Sequence, residues 1–125
     1  MKKILVVEDD VVSARMVSDY LGARGYAASI ARTGVEGVER CASEEPDLML
    51  VDVALPLKNG FEVCFDVKRT EHGQRMPLLL MSAVYRDTDH AEAYAARDLR
   101  AQGYLSKPFE LAELLTRIEG LIGPA

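Results

Sequence analysis

The sequence predicts an α/β fold in which a doubly wound parallel sheet carries helices on both faces, and three observations carry that prediction. Short, unbroken apolar runs of strand length recur along the chain, helical apolar patterns fall between them, and most of the runs stop abruptly on polar or charged residues. Runs apolar at every position mark strands buried on both faces, and strict strand-helix alternation is the signature of a parallel sheet covered on both sides.

Each element can be justified in order. Ile4 to Val7 is a β-branched apolar run closed by Glu8-Asp9-Asp10. Asp10 can cap a helix that buries Val11, Ala14, Val17 and Leu21, with Gly25 as its terminator. Ala27 to Ile30 is a weaker second strand, and Thr33-Gly34-Val35-Glu36 fits a capping box ahead of an apolar series at Val35, Val38 and Cys41. Leu48 to Val51 forms the third strand, ending at Asp52. A helix opens near Asn59-Gly60 and buries Phe61, Cys64, Phe65 and Val67. Pro77 to Met81 ends at Ser82, Asp87-Thr88-Asp89 offers caps for a thin helix through Leu99, and Gly103 to Ser106 is the fifth strand. Leu111, Leu114, Leu115, Ile118, Leu121 and Ile122 give the last helix the clearest stripe of all. No linker, repeat or low-complexity stretch interrupts this order, so residues 1–125 are expected to form one domain.

Composition narrows the function classes. The chain is 49% hydrophobic and 28% charged with a formal net charge of −5, which argues against disorder and against a general nucleic-acid surface. Cys41 and Cys64 lie among apolar residues with no CxxC and no Cys/His cluster, so buried free thiols are expected rather than a disulfide or zinc site. The apolar run after Met1-Lys2-Lys3 is too short for a signal sequence or a membrane span. A reduced, cytoplasmic protein is the expectation. His72 and His90 have no partner at metal-ligand or triad spacing and receive no role.

In a doubly wound sheet, ligands sit beyond the carboxyl ends of the strands. Glu8-Asp9, Asp52, Ser82 and Lys107 stand at four of those ends. Any one is also an ordinary strand terminator, and Lys107 alone could be a solvated lysine; together they are chemically complementary. Two like charges about 4 Å apart cost about 4 kcal/mol at an effective dielectric near 20, so three converging carboxylates need a cation. A set of hard oxygens without imidazole or thiolate favours Mg²⁺, with Mn²⁺ able to substitute. A carboxylate beside such an ion can attack phosphorus, while an ammonium and a hydroxyl hold phosphoryl oxygens.

The stretches Ile4 to Asp10, Leu50 to Gly60, Leu80 to Ala83 and Gly103 to Phe109, in that order, resemble the receiver domain of two-component response regulators, over nearly the whole chain. The resemblance implies a five-stranded, flavodoxin-like (βα)5 receiver fold of the CheY-like superfamily. It implies that Asp52 is the phosphoacceptor, that Glu8, Asp9 and Asp52 hold Mg²⁺ with the backbone carbonyl of Ala54, and that Lys107 pairs with the phosphoryl group. Ser82 would be the switch hydroxyl and Tyr104 the aromatic switch, although on the residues alone Tyr104 is also a half-buried edge tyrosine. The implied partners are a sensor histidine kinase or phosphotransfer protein and a downstream protein or an output domain beyond this chain, with a phosphorylation-dependent homodimer among the outputs open to it. No direct nucleic-acid binding and no membrane contact are implied. Such a domain is a slowly autodephosphorylating signalling element rather than an enzyme, read out through the helix before strand five, strand five and the last helix.

Two departures from the family pattern stand out. Asn59 replaces the usual Asp before glycine, a neutral change. The stretch from Ser82 to Lys107 is a few residues long, and Leu99-Arg100-Ala101-Gln102 stands where Gly-Ala is usual, leaving the preceding helix without its glycine stop. Two other functions are disfavoured: aspartyl-phosphate phosphatases need a general acid where this chain has Ala54, and a flavin carrier needs a phosphate loop where it has three acids. A receiver acting as a phosphorylation-independent interaction module remains the alternative.

Overall fold

The computed structural model describes residues 1–83 and 99–125. The predicted helix between the fourth and fifth strands falls mostly outside these residues. The elements are β1 (Lys3–Val7), α1 (Val11–Ala23), β2 (Ala27–Ala31), α2 (Gly34–Glu44), β3 (Leu48–Asp52), α3 (Gly60–Lys68), the short α4 (Glu71–Arg75), β4 (Leu78–Ser82), β5 (Gly103–Ser106) and α5 (Leu111–Ile122). The five strands form one sheet in the order β2-β1-β3-β4-β5, every pair parallel. The order reverses between β1 and β3, so the crevice of a doubly wound sheet opens at their carboxyl ends, beside Glu8 and Asp52.

Side chains alternate across the strands and divide the core into two layers. Leu5, Val7, Met49, Val51, Leu78, Leu80 and Tyr104 face α2 and α3, meeting Cys41, Val63, Cys64 and Val67. Ile4, Val6, Leu48, Leu50, Leu79, Met81 and Leu105 face α1 and α5, meeting Val17, Leu21, Leu114 and Ile118. Both faces are therefore dry, which accounts for the unbroken apolar runs. Cys41 and Cys64 are free and buried, and burial pushes both thiols up to about 11, leaving them unreactive.

The helix starts largely follow the expected caps. Asp10 accepts from the amides of Val12 and Ser13, and Thr33 from that of Glu36. The expected box at Thr33 is half formed, since the Glu36 carboxylate turns back to the amide of Arg32 instead. A complete box forms at Asn59 and Glu62, where each side chain accepts from the other's backbone amide. Four positions of the expected apolar stripes point outward: Val11, Val35, Phe65 and Leu121 are exposed, and Phe65 stacks under the Arg69 guanidinium, 5.4 Å from the ring centre. Val63 takes the buried place on α3.

Candidate functional site

Each group at the site is delivered by a strand end. The β1 run ends at Val7, and the next residue, Glu8, is 2% exposed; its amide donates to the carbonyl of Ala31 at 3.0 Å, which extends the sheet by one residue. Asp52 closes β3 and is 5% exposed. Ser82 closes β4, fully buried, opposite Ser106 of β5. Lys107 follows β5, its backbone amide on the carbonyl of Ser82 at 3.0 Å. Past β3 the loop is tied down at both ends. The amide of Gly60 donates to Val53 O at 3.0 Å, and a Cβ at Gly60 would run into the Asp52 carbonyl, so only glycine lets α3 start this close to the strand. Lys58 pairs with Asp66 of α3.

The convergence expected from the sequence is present. One carboxylate oxygen from each of Glu8, Asp9 and Asp52 lies within 4.8 Å of the others. Lys107 Nζ donates to Glu8 Oε1 at 2.7 Å and to Asp52 Oδ2 at 3.3 Å, while the Ala54 amide donates to Asp52 Oδ1 at 3.2 Å. A single ammonium thus serves two buried carboxylates, with Asp9 exposed at the rim. Burial, reinforced by neighbouring Asp52, outweighs Lys107 and raises Glu8 to about 7. Burial disfavours the charge on Lys107, yet Glu8 and Asp52 hold its ammonium above the ordinary lysine value.

These residues fit a hard divalent cation on their own geometry. The donors are all carboxylate oxygens, and Glu8 Oε2 is buried with no hydrogen-bond partner among the described residues. Tyr104, 1% exposed, is turned fully into the layer with Val53, Leu55, Leu99 and Ala101 rather than half buried at an edge.

Comparison with known proteins agrees with this architecture. The sequence model of the response regulator receiver domain matches residues 4–119, and the chain belongs to that family. It is 39% identical over 120 residues to the response regulator MprA of Mycobacterium ulcerans, covering 96% of this chain and 50% of that protein. Against MprA of Mycobacterium tuberculosis strain H37Rv the identity is 38%, with the same coverage. The chain therefore spans half the length of these relatives. Among solved structures, Vibrio cholerae CheY4 superposes with a TM-score of 0.86 at 28% identity, over 97% of this chain and 98% of that one. The receiver domain of the Pseudomonas aeruginosa sensor histidine kinase PA1611, solved with magnesium in its active-site cleft, also gives 0.86 at 28% identity, over 98% of each chain. The chain is thus the receiver domain of a response regulator in a two-component system, and none of its described helices is long and apolar enough to cross a membrane.

Away from this site lies a buried charge that nothing in the sequence pattern marks. Lys68, the last residue of α3, is buried, and its ammonium meets the carbonyls of Gly73 and Met76 and the side chain of Gln102. It lies at the opposite edge of the sheet from the carboxylates, beside the start of β4.

Proposed function

We propose that residues 1–125 are one phosphoacceptor domain, taking a phosphoryl group onto Asp52 from the phosphohistidine of a sensor kinase or phosphotransfer protein. The observation that carries this reading is the convergence of Glu8, Asp9 and Asp52, with Lys107 bridging two of them. An oxygen of Asp52 forms the new P–O bond as the donor's P–N bond breaks, and the imidazole leaves with the bonding pair. Mg²⁺, held by Glu8, Asp9, Asp52 and the Ala54 carbonyl, would neutralise phosphoryl oxygens when bound. Lys107, already 3.3 Å from Asp52, remains as the fixed positive charge facing the new group.

The added charge draws the hydroxyl of Ser82 toward the phosphoryl group, and Tyr104 follows into the vacated space. Both sit on adjacent strands whose register is fixed, Leu80 opposite Tyr104 and Ser82 opposite Ser106. The result is a two-state protein surface biased by a local electrostatic event. Its downstream partner is a protein or an output domain; the MprA relatives, twice as long as this chain, are named response regulators.

The test is phosphoryl uptake from acetyl phosphate with Mg²⁺. Wild-type protein is expected to gain a hydroxylamine-sensitive label that Asp52→Asn lacks. Full labelling of Asp52→Asn would defeat the assignment. Labelling with no spectral change at Tyr104 would point to an interaction module whose output ignores phosphorylation.

A further inference from the structure

Lys68 is 6% exposed, and among the described residues no carboxylate pairs with it. Its Nζ donates to Gly73 O at 2.8 Å, to Met76 O and to Gln102 Oε1 at 3.1 Å, which occupies all three ammonium protons. Gln102 Oε1 also accepts from the backbone amide of Leu78 at 2.8 Å, and the Gln102 backbone amide donates to the Leu78 carbonyl at 2.9 Å. One residue ahead of β5 therefore grips the first residue of β4 at both its donor and its acceptor, and a buried cation holds that grip from α3.

The arrangement is placed at the shortest strand of the sheet. β5 is a four-residue strand at the edge of the sheet, paired on one side to β4. A slip of one residue would send every side chain of a strand to the other face. Here it would carry Tyr104 from the layer under α2 and α3 to the layer under α1 and α5, exchange it with Leu105, and move Lys107 off Glu8 and Asp52. An ammonium buried with no carboxylate beside it among the described residues is a poor source of stability compared with an apolar side chain of similar size. What it adds is a directional demand for three acceptors at fixed places.

We infer that Lys68 and Gln102 form a register lock that sets where β5 begins and so where Lys107 ends. Lys68 and Gln102 are positioning residues, acting on the carboxylate site through the length of β5. The lock itself is independent of the phosphoacceptor reading; its consequence for phosphoryl uptake rests on that reading.

The experiment measures amide hydrogen exchange by NMR and phosphoryl uptake from acetyl phosphate in the full 125-residue chain. Gln102→Leu removes the side-chain acceptor shared by Leu78 and Lys68, and Lys68→Met removes the cation. Both are expected to speed exchange at Leu105 and Lys107 about tenfold, the loss of one or two hydrogen bonds, while the β1 and β3 amides stay unchanged. Both should also slow uptake several-fold. Gln102→Glu keeps acceptor oxygens for both donors and should restore wild-type behaviour. Wild-type protection of β5 in Gln102→Leu, or equal loosening of all strands, would overturn the lock. If Lys68→Met does not fold, the two Gln102 variants decide alone. If wild-type protein takes up no phosphoryl group, the phosphoacceptor reading fails and the exchange data still judge the lock.

Discussion

The two edges of the sheet handle buried charge in opposite ways. At the carboxyl edge, Glu8 and Asp52 share one lysine, and Glu8 keeps an oxygen without a partner among the described residues. At the amino edge, one lysine has no carboxylate among the described residues and is saturated by two carbonyls and an amide oxygen. The first is an arrangement short of positive charge, which can be completed only by something that binds. The second is complete as it stands. Unsatisfied buried charge marks the place where the molecule acts, and satisfied buried charge marks the place where it is held.

The largest effect should come from completing the first edge. At a free Mg²⁺ concentration one hundred times its dissociation constant, a single site that binds only the folded state stabilises by about 2.7 kcal/mol. Urea unfolding with and without Mg²⁺ reads this directly. No stabilisation at millimolar Mg²⁺ would break the comparison, since the carboxyl edge would then not be a cation site. Glu8→Gln and Asp52→Asn should each reduce the effect.

Removing one lysine from each edge sharpens the contrast. Lys107→Ala leaves two buried carboxylates uncompensated and is expected to cost about 2 kcal/mol without Mg²⁺, below the full cost of breaking a buried pair because Lys107 is partly exposed and Glu8 can take up a proton. Lys68→Met frees two carbonyls but relieves the burial of a charge, and should cost about 1 kcal/mol or less in overall stability. The reverse order of costs in urea unfolding would show that the two edges had been misread.

A pH series separates them further. Glu8 is raised to about 7 in the folded protein, against 4.5 as its ordinary value. Between those values the folded state holds a proton that the unfolded chain has released. The contribution of Glu8 is therefore fully present below 4.5 and is lost as pH rises through about 7. Stability without Mg²⁺ should fall from about pH 5 to about pH 8, and Glu8→Gln should flatten that fall. An equal slope in Glu8→Gln would remove this carboxyl as its source.

The two edges were also unequally legible. The carboxylates, Ser82 and Lys107 stand at the ends of apolar runs, so strand register alone delivers them to one edge once the fold class is read. Lys68 and Gln102 carry no such signal, because their acceptors and donors are largely backbone groups that only the folded chain brings together. The short α4 is likewise unmarked; its Thr70 cap is visible in the sequence, but five residues hold no periodicity. Phe65 was misplaced for a different reason. Phe61, Val63, Cys64, Phe65 and Val67 crowd a nine-residue helix with apolar residues on several sides, so spacing could not choose its buried face.

The smallest effects test what the backbone tolerates at each edge. Arg100 has φ of 61° at the amino edge, in the stretch where the family usually carries Gly-Ala, so the glycine conformation is kept without the glycine. Leu57 has φ of 65° in the loop after Asp52 and is fully exposed. A side chain in the left-handed region costs about 1–2 kcal/mol, and glycine returns about 0.5–1 kcal/mol of that as extra freedom in the unfolded chain. Leu57→Gly, losing no buried surface, should therefore stabilise by about 0.5–1 kcal/mol, and Arg100→Gly by a similar amount. The functional readouts should differ even though the energies match. The Leu57 loop runs from Asp52 to the start of α3, so a freer backbone there reaches the carboxylate site and should change the rate of phosphoryl uptake. Arg100 lies two residues before Gln102, whose hold on Leu78 fixes β5 regardless of the turn ahead of it, so Arg100→Gly should leave uptake unchanged. Equal changes in uptake for both variants would mean that the amino edge is not the fixed end of the molecule.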